Sequence, residues 1–170
     1  MSGPRVVLIG PMGAGKSTVG PLLAEAWGVG FRDTDADVET TAGRSVADVF
    51  VEEGEARFRA LEREAVATAL AEHDGVLALG GGAVMDSETR ERLAGHTVVF
   101  LRVGLTQAVS RVGLGSARPL LLGNVRGRLK AILDERAPVY TAVASVVVDT
   151  DDLDSAAVAE AVRDAVEVRA

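Results

Sequence analysis

A glycine-rich segment near the start of the chain constrains the fold more than any other feature. It matches the pattern G-x-x-x-x-G-K-[ST] at every fixed position and reads Gly10-Pro11-Met12-Gly13-Ala14-Gly15-Lys16-Ser17. The apolar stretch Val6–Ile9 precedes it as a buried strand, and Lys16–Trp27 follows as a helix. Such a loop turns backbone N–H groups inward, where they bind polyphosphate together with the positive end of the helix. The segment therefore predicts a phosphate-binding loop, or P-loop.

The motif also predicts how a nucleotide is held. Lys16 is placed to reach the β- and γ-phosphates, Ser17 to ligate Mg²⁺, and Thr18 to contact the α-phosphate. The backbone of the loop forms the rest of the cradle, at Gly13, Ala14 and Gly15. GTPases, motor ATPases and many small kinases share this loop, so the acceptor must be sought elsewhere in the chain.

Short apolar strands alternate with helices along the rest of the chain. Four more strands are predicted, near Phe31 and at 76–79, 97–101 and 145–148. Helices are predicted at 36–41, 46–51, 56–72, 87–93, 106–111 and 126–137, with a last one containing Val158, Val162 and Val166. The stretch 113–124 is typical of a loop. This alternation indicates βαβ units and a parallel sheet of five strands in one α/β domain.

Composition narrows the classes of function. The 170 residues carry a net charge of −7, which argues against a protein that grips nucleic acid by its phosphates. No apolar run approaches the roughly 20 residues of a membrane helix, and there is no cysteine for disulfides or thiolate metal sites. We therefore expect a cytoplasmic protein without membrane or nucleic-acid partners.

Two carboxylates follow the second predicted strand. Asp33 and Asp35 lie at the carboxyl edge of the sheet, where open parallel sheets bind ligands. If the backbone stays extended, both side chains point the same way. One can then support Mg²⁺ through water while the other accepts a proton from a substrate hydroxyl. The alternative is that Asp35 caps a helix beginning at Ala36.

Three glycines end the third strand at the same edge. Gly80-Gly81-Gly82 allows a ligand to approach the backbone closely, although a plain tight turn would look the same. Between the carboxylates and these glycines, Arg59 and Glu62 lie three residues apart on one helical face and can pair. Such a pair also occurs on many surface helices.

Two later arginines are candidates for anion binding. Arg118, in the glycine-rich loop, can close over the triphosphate as a lid residue, or belong to an ordinary surface loop. Arg136 can hold a carboxylate through two hydrogen bonds. As it precedes Pro138 at a predicted helix end, it can instead stabilise the helix C-terminus.

In their order along nearly the whole chain, these motifs resemble those of the shikimate kinase family. The P-loop is unspecific, whereas three further motifs are specific in combination: Asp33-Thr34-Asp35, Phe58-Arg59-x-x-Glu62 and Gly80-Gly81-Gly82. The resemblance implies a three-layer P-loop NTPase fold, with a five-stranded parallel sheet flanked by helices. It also implies a mobile lid at about 113–124 and a substrate-binding helical region at about 35–63.

The same resemblance implies ATP-dependent phosphorylation of the 3-hydroxyl of shikimate by a monomer, with Mg²⁺ as cofactor. Asp35 would hydrogen-bond the ring hydroxyls and act as the base, with Lys16 and Arg118 as the other catalytic residues. Arg59 and Arg136 would clamp the carboxylate, and the Gly81 backbone would contact the substrate. The remaining implied roles are Mg²⁺ binding by Ser17 directly and Asp33 through water, orientation of Arg59 by Glu62, and contacts to ATP from Arg111 and Arg118.

The chain departs from the family pattern at one place, and two alternative functions remain. The family often places a basic residue after the last strand, beside the adenine, whereas 149–154 here contains four aspartates and Leu153. Gluconate kinases and nucleoside monophosphate kinases are the nearest rival enzymes. A nucleotide-dependent switch is the rival from another class, but the guanine-reading pattern Asn-Lys-x-Asp is missing, as Asn124 is the single asparagine.

Overall fold

The computed structural model describes residues 3–113 and 124–169. The strands within these ranges are β1 Val6–Ile9, β2 Phe31–Asp33, β3 Val76–Ala78, β4 Val98–Arg102 and β5 Val146–Asp149. The helices are α1 Lys16–Trp27, α2 Thr34–Ala42, α3 Val46–Glu53, α4 Glu55–Glu72, α5 Ser87–Leu93, α6 Leu105–Gly113, α7 Val125–Val143 and α8 Ser155–Arg169. A short 3₁₀ helix, Ala83–Met85, follows the glycine run.

The five strands form one parallel sheet in the order β2-β3-β1-β4-β5. Strand β1 lies at the centre, and all four of its side chains are buried. A continuous Val-Val-Leu-Ile run suits this place because helices cover both faces of a parallel sheet. The prediction of a three-layer α/β fold around a five-stranded parallel sheet is confirmed.

Successive residues of β1 contribute to different cores, as the alternation of side chains along a strand requires. Val6 and Leu8 pack on one face with apolar side chains of α1 and α8. Val7 and Ile9 pack on the other face with residues of α4, α5 and α7, including Tyr140. Two layers of helices therefore clamp the strand that leads into the P-loop.

A third, smaller core lies away from the sheet. Val38, Val49, Phe58 and Leu61 bring α2, α3 and α4 together, and the rings of Phe50 and Phe58 lie 4.8 Å apart. These helices make up most of the region predicted to bind substrate. They are held to one another by their own apolar contacts as well as by the sheet.

Two predicted helix boundaries are wrong. The backbone does not stay extended through Asp35: α2 begins at Thr34, and Asp33 caps it by accepting a hydrogen bond from the Asp35 N–H at 2.8 Å. Helix α7 does not stop before Pro138 but continues to Val143, so Arg136 lies in its interior. Burial of Tyr140 beyond the proline offsets the backbone hydrogen bond that Pro138 cannot donate.

The remaining boundaries agree with the predictions to within a few residues. No helix in the described ranges is both long enough and apolar enough to cross a bilayer. The predicted lid, except for its ends, lies outside the described residues, and so does Arg118.

Candidate active site

Three neighbouring strands, β2, β3 and β1, bring the predicted site residues to one edge of the sheet. The P-loop follows β1, helix α2 follows β2, and the glycine run follows β3. Because all the strands are parallel, their carboxyl ends meet at this edge. Residues from three distant parts of the sequence are therefore assembled on a single surface.

The P-loop has the backbone that its glycines predict. Gly13 and Gly15 have φ angles of 85° and 96°, which residues with a side chain rarely adopt. The Lys16 ammonium donates to the carbonyls of Gly10, at 2.5 Å, and Pro11, at 3.1 Å. Burial lowers the pKa of Lys16 to about 8, against the opposing pull of the Asp35 and Asp33 carboxylates. The next two residues, Ser17 and Thr18, carry hydroxyl groups and are exposed, so they are accessible to a ligand.

Arg111 contacts the P-loop from α6, the helix that follows β4. Its guanidinium donates to the Gly13 carbonyl at 2.7 Å and to the Thr150 hydroxyl at 3.3 Å. The Thr150 hydroxyl in turn donates to the Arg102 carbonyl at 3.0 Å. Arg111 therefore joins the P-loop to the ends of β4 and β5, beside the segment where the family often carries a basic residue.

The carboxylates lie in a place that disfavours their charge. Burial, with the neighbouring charges of Asp33 and Glu62, raises the pKa of Asp35 from its ordinary 3.8 to about 6. Burial also raises the pKa of Asp33, although the hydrogen bond from the Asp35 N–H opposes the shift. Asp33 is thus the helix cap. Asp35 lies in the first turn of α2, and its side chain is free to face the site.

The glycine run is the point on which the polar side chains converge. A methyl group on Gly80 would lie 2.7 Å from the Asp35 carboxylate and 2.8 Å from that of Glu62. A methyl group on Gly82 would lie 2.8 Å from the Arg59 guanidinium and 3.1 Å from that of Arg136. Any side chain here would fill the space between these groups, so the run is more than a tight turn.

Arg59 is oriented by a buried partner. Its guanidinium lies 2.8 Å from the Glu62 carboxylate, which is 4% exposed, and 5.1 Å above the Phe58 ring. Burial raises the pKa of Glu62, and the hydrogen bond from Arg59 opposes that shift. The pair is therefore part of the site and not a solvated surface pair.

Arg136 approaches the same glycines from α7. A methyl group on Gly81 would lie 3.4 Å from its guanidinium. None of the ion pairs within the described ranges includes Arg136. Two cationic groups, one paired with Glu62 and one without a carboxylate partner, thus face one space beside Asp35. Such a space suits an anion that offers two oxygens in a plane.

The residues of the site suit a metal ion that is bound together with a nucleotide. Among the described residues, no group of three or more histidines or carboxylates could hold a metal by itself. Ser17 and Asp33 offer oxygen atoms next to the phosphate cradle, and Mg²⁺ commonly combines a few such protein oxygens with substrate phosphates and water. The donor set fits that ion bound together with a nucleotide.

Sequence reasoning named most of these residues and missed three contacts. The Thr34 hydroxyl accepts a hydrogen bond from the Gly80 N–H at 3.2 Å, and the Thr150 hydroxyl accepts one from Arg111. The Tyr140 hydroxyl donates one to the Gly81 carbonyl. The position of Thr34 between the two aspartates was a usable signal. The other two depend on contacts between distant segments, which the sequence does not display.

Comparison with known proteins agrees with this geometry. The family model described as shikimate kinase matches residues 12–167. A shikimate kinase of Streptomyces avermitilis is 56% identical over 169 residues, 99% of each chain. One of Salinispora arenicola is 62% identical over 148 residues, 87% of this chain and 89% of its own. The structure of a shikimate kinase from Acinetobacter baumannii in complex with shikimate has a TM-score of 0.92 and 32% identity, and covers 99% of this chain and 95% of its own. This chain therefore belongs to the shikimate kinase family.

Proposed function

We propose that this protein transfers the γ-phosphoryl group of ATP to the 3-hydroxyl of shikimate, giving ADP and shikimate 3-phosphate. The product belongs to the route to chorismate and the aromatic amino acids. One observation carries the proposal: two guanidinium groups and the Asp35 carboxylate converge on Gly80-Gly81-Gly82, directly beside a P-loop.

The acceptor end of the site supports a carboxylated alcohol. Arg59 and Arg136 would hold the carboxylate, since planar guanidinium groups match carboxylates with paired hydrogen bonds. The Gly81 backbone would contact the ring, and Asp35 would accept hydrogen bonds from its hydroxyls. That the Acinetobacter baumannii relative was solved with shikimate supports this assignment.

The phosphate end needs positioning and charge more than covalent chemistry. The amides of Gly13, Ala14 and Gly15 would cradle the phosphates, with Lys16 on the β- and γ-groups and Thr18 on the α-group. Arg111, already bonded to the Gly13 carbonyl, would lie towards the nucleoside. Arg118, outside the described residues, would add positive charge to the transferring group.

Magnesium would complete the nucleotide site. Ser17 would ligate it, and Asp33 would support it through water. When bound, the ion supplies positive charge that offsets the charge of the phosphates.

Asp35 would take the proton that leaves the attacking hydroxyl. Its pKa of about 6 suits this role, because the group is ionised near neutral pH yet basic enough to accept a proton. The oxygen–phosphorus bond forms as the bond to ADP breaks, and the proton passes to the carboxylate.

At the scale of the molecule we propose a cytoplasmic monomer in which the whole chain is one kinase domain. Residues 113–124 would serve as the lid, and 35–63 as the substrate-binding region. The separate small core of α2, α3 and α4 supports the second assignment.

An acceptor panel tests the proposed reaction. ADP release is measured with Mg²⁺ and ATP in the presence of shikimate, gluconate, nucleoside monophosphates or no acceptor. We expect rapid ADP release with shikimate and slow release with each of the other acceptors. Rapid release with gluconate or a nucleotide would assign a different small kinase, and slow release with every acceptor would favour a nucleotide-dependent switch.

A further inference from the structure

Tyr140 lies directly behind the acceptor side of the site. Among the residues that the structure describes it is the largest of the fully buried side chains, 1% exposed, and it projects from α7 one turn after Arg136. Residues four apart on a helix share a face, so both side chains point towards the glycine run. Buried tyrosine hydroxyls ordinarily have hydrogen-bond partners, and here those partners belong to the site.

The Tyr140 hydroxyl lies next to two groups that face the acceptor space. It donates to the Gly81 carbonyl at 2.5 Å across 59 residues of sequence. The Arg136 guanidinium lies beside the same peptide, because a methyl group on Gly81 would be 3.4 Å from it. Burial raises the pKa of the phenol, although the nearby Arg136 charge opposes the shift, so the hydroxyl keeps its proton and can donate.

The ring is fixed in place by its surroundings. It packs against Phe100 of β4, with ring centroids 4.9 Å apart, inside the core between the sheet and α4, α5 and α7. A hydroxyl on a buried ring has little freedom to move. The Arg136 guanidinium, by contrast, lies at the end of a long flexible side chain and has no carboxylate partner among the residues described. Without the phenol, its guanidinium could adopt many positions.

We infer that Tyr140 is a positioning residue for the acceptor: its hydroxyl holds the Arg136 guanidinium and the Gly81 peptide in the arrangement that receives the substrate carboxylate. Tyr140 is buried behind Gly81, so it would act on the acceptor through its two partners. This inference rests on the proposed function, since it concerns how that acceptor is held.

The test compares Tyr140→Phe with the wild type by steady-state kinetics. The variant keeps the ring and its packing and removes the hydroxyl alone. We expect the KM for shikimate to rise by about tenfold, the size expected if the displaced Arg136 loses one charged hydrogen bond to the substrate carboxylate, while the KM for ATP stays within about twofold. Equal changes in both constants, or no change in either, would overturn the inference.

A matched control separates positioning from loss of stability. Thr89 of α5 also has a buried side chain, 1% exposed, and its backbone N–H donates to the carboxylate of the helix cap Asp86 at 3.0 Å, outside the site. Thr89→Val should lower the melting temperature and leave both KM values unchanged. If it raises the KM for shikimate as Tyr140→Phe does, the effect reflects general destabilisation.

A double-mutant cycle identifies the group through which Tyr140 acts. In the Arg136→Ala background, Tyr140→Phe should raise the KM for shikimate by clearly less than about tenfold, because coupled residues are not additive and only the part that acts through Gly81 remains. A full tenfold effect in that background would show that the hydroxyl does not work through Arg136. If the wild type does not phosphorylate shikimate, the proposed function itself is refuted. If the wild type is active and Tyr140→Phe has the same KM for shikimate, this inference alone is refuted.

Discussion

At the scale of one residue, the buried Asp35 carboxylate lowers the stability of the fold and provides a group that can accept a proton. Its pKa is raised from 3.8 to about 6, chiefly by burial and then by Asp33 and Glu62. Between those two values the folded state binds more protons than the unfolded state. The contribution of Asp35 to stability therefore falls as pH rises from about 4 to about 6, and at neutral pH its charge destabilises the fold.

Replacing Asp35 by asparagine should abolish turnover, leave ATP binding largely intact, and stabilise the fold. At pH 7 we expect the free energy of unfolding to rise by about 1–3 kcal/mol, from about 1.4 kcal/mol per pKa unit. The gain should vanish below about pH 4, where the wild-type carboxyl is protonated too. Turnover, nucleotide binding and thermal unfolding at both pH values measure the three effects.

Asp37→Asn is the matched control for that substitution. Asp37 lies on the same helix, but its carboxylate pairs with Arg32 at 2.7 Å and not with site residues. Its loss should leave turnover near the wild-type level and bring no gain in stability. Wild-type turnover in Asp35→Asn would remove Asp35 from the proposed role.

The pH dependence of catalysis should show two limbs. We expect kcat/KM for shikimate to fall below about pH 6, as Asp35 becomes protonated. We expect kcat/KM for ATP to fall above about pH 8, as Lys16 loses its charge. Both parameters report the free enzyme. Profiles that stay flat from pH 5 to 9, roughly the range over which both groups titrate, would contradict this assignment.

At the scale of whole elements, the loop after β3 limits what the helices around it can do. The backbone at Gly82 has a φ of −99°, which any residue can adopt, so glycine is required there by space. Its surroundings are the guanidinium groups of α4 and α7. The end of one strand therefore determines how closely two helices can bring their cations together.

Gly82→Ala should accordingly impair acceptor binding. The added methyl group would force the Arg59 or Arg136 guanidinium aside, and the KM for shikimate should rise at least about tenfold, as for a lost charged hydrogen bond. The KM for ATP should change little. Gly30→Ala, where the methyl group would meet only the His73 ring at 3.5 Å, serves as control. A Gly82→Ala enzyme with wild-type constants would show that these cations do not hold the acceptor.

The loop after β5 offers a complementary test at the nucleotide end. Thr150, 1% exposed, supports Arg111 behind the P-loop. Thr150→Val keeps the shape and loses the hydroxyl, so the KM for ATP should rise about threefold to tenfold, as for one lost hydrogen bond, with little change for shikimate. Thr150→Ser should restore it. A larger change in the shikimate constant would mean that this connection does not serve the nucleotide.

Considered as a whole molecule, the protein concentrates positive charge where its overall charge is negative. The net charge is −7, yet Lys16, Arg59, Arg111 and Arg136 face one edge of the sheet. Local fields of this kind attract anionic ligands despite the sign of the total charge. Both substrates of the proposed reaction are anions.

The sequence predicts those features of the molecule that depend on local signals. β1 and α1 have the predicted bounds, because a continuous apolar run and a glycine motif define them. The predicted start of α2 and end of α7 are wrong, since a side-chain cap and the burial of Tyr140 determine them. The support that Tyr140 and Thr150 give to the site joins segments 59 and 39 residues apart, which no local pattern reveals.

The central claim is that guanidinium groups beside a P-loop select an acceptor by its carboxylate. The most direct measurement compares kcat/KM for shikimate with that for its carboxamide, in the wild type and in Arg136→Ala. We predict that the wild type loses about 100-fold on the neutral analogue, as for one or two charged hydrogen bonds, and that Arg136→Ala loses far less. Equal kcat/KM values for the acid and the amide in the wild type would contradict the account.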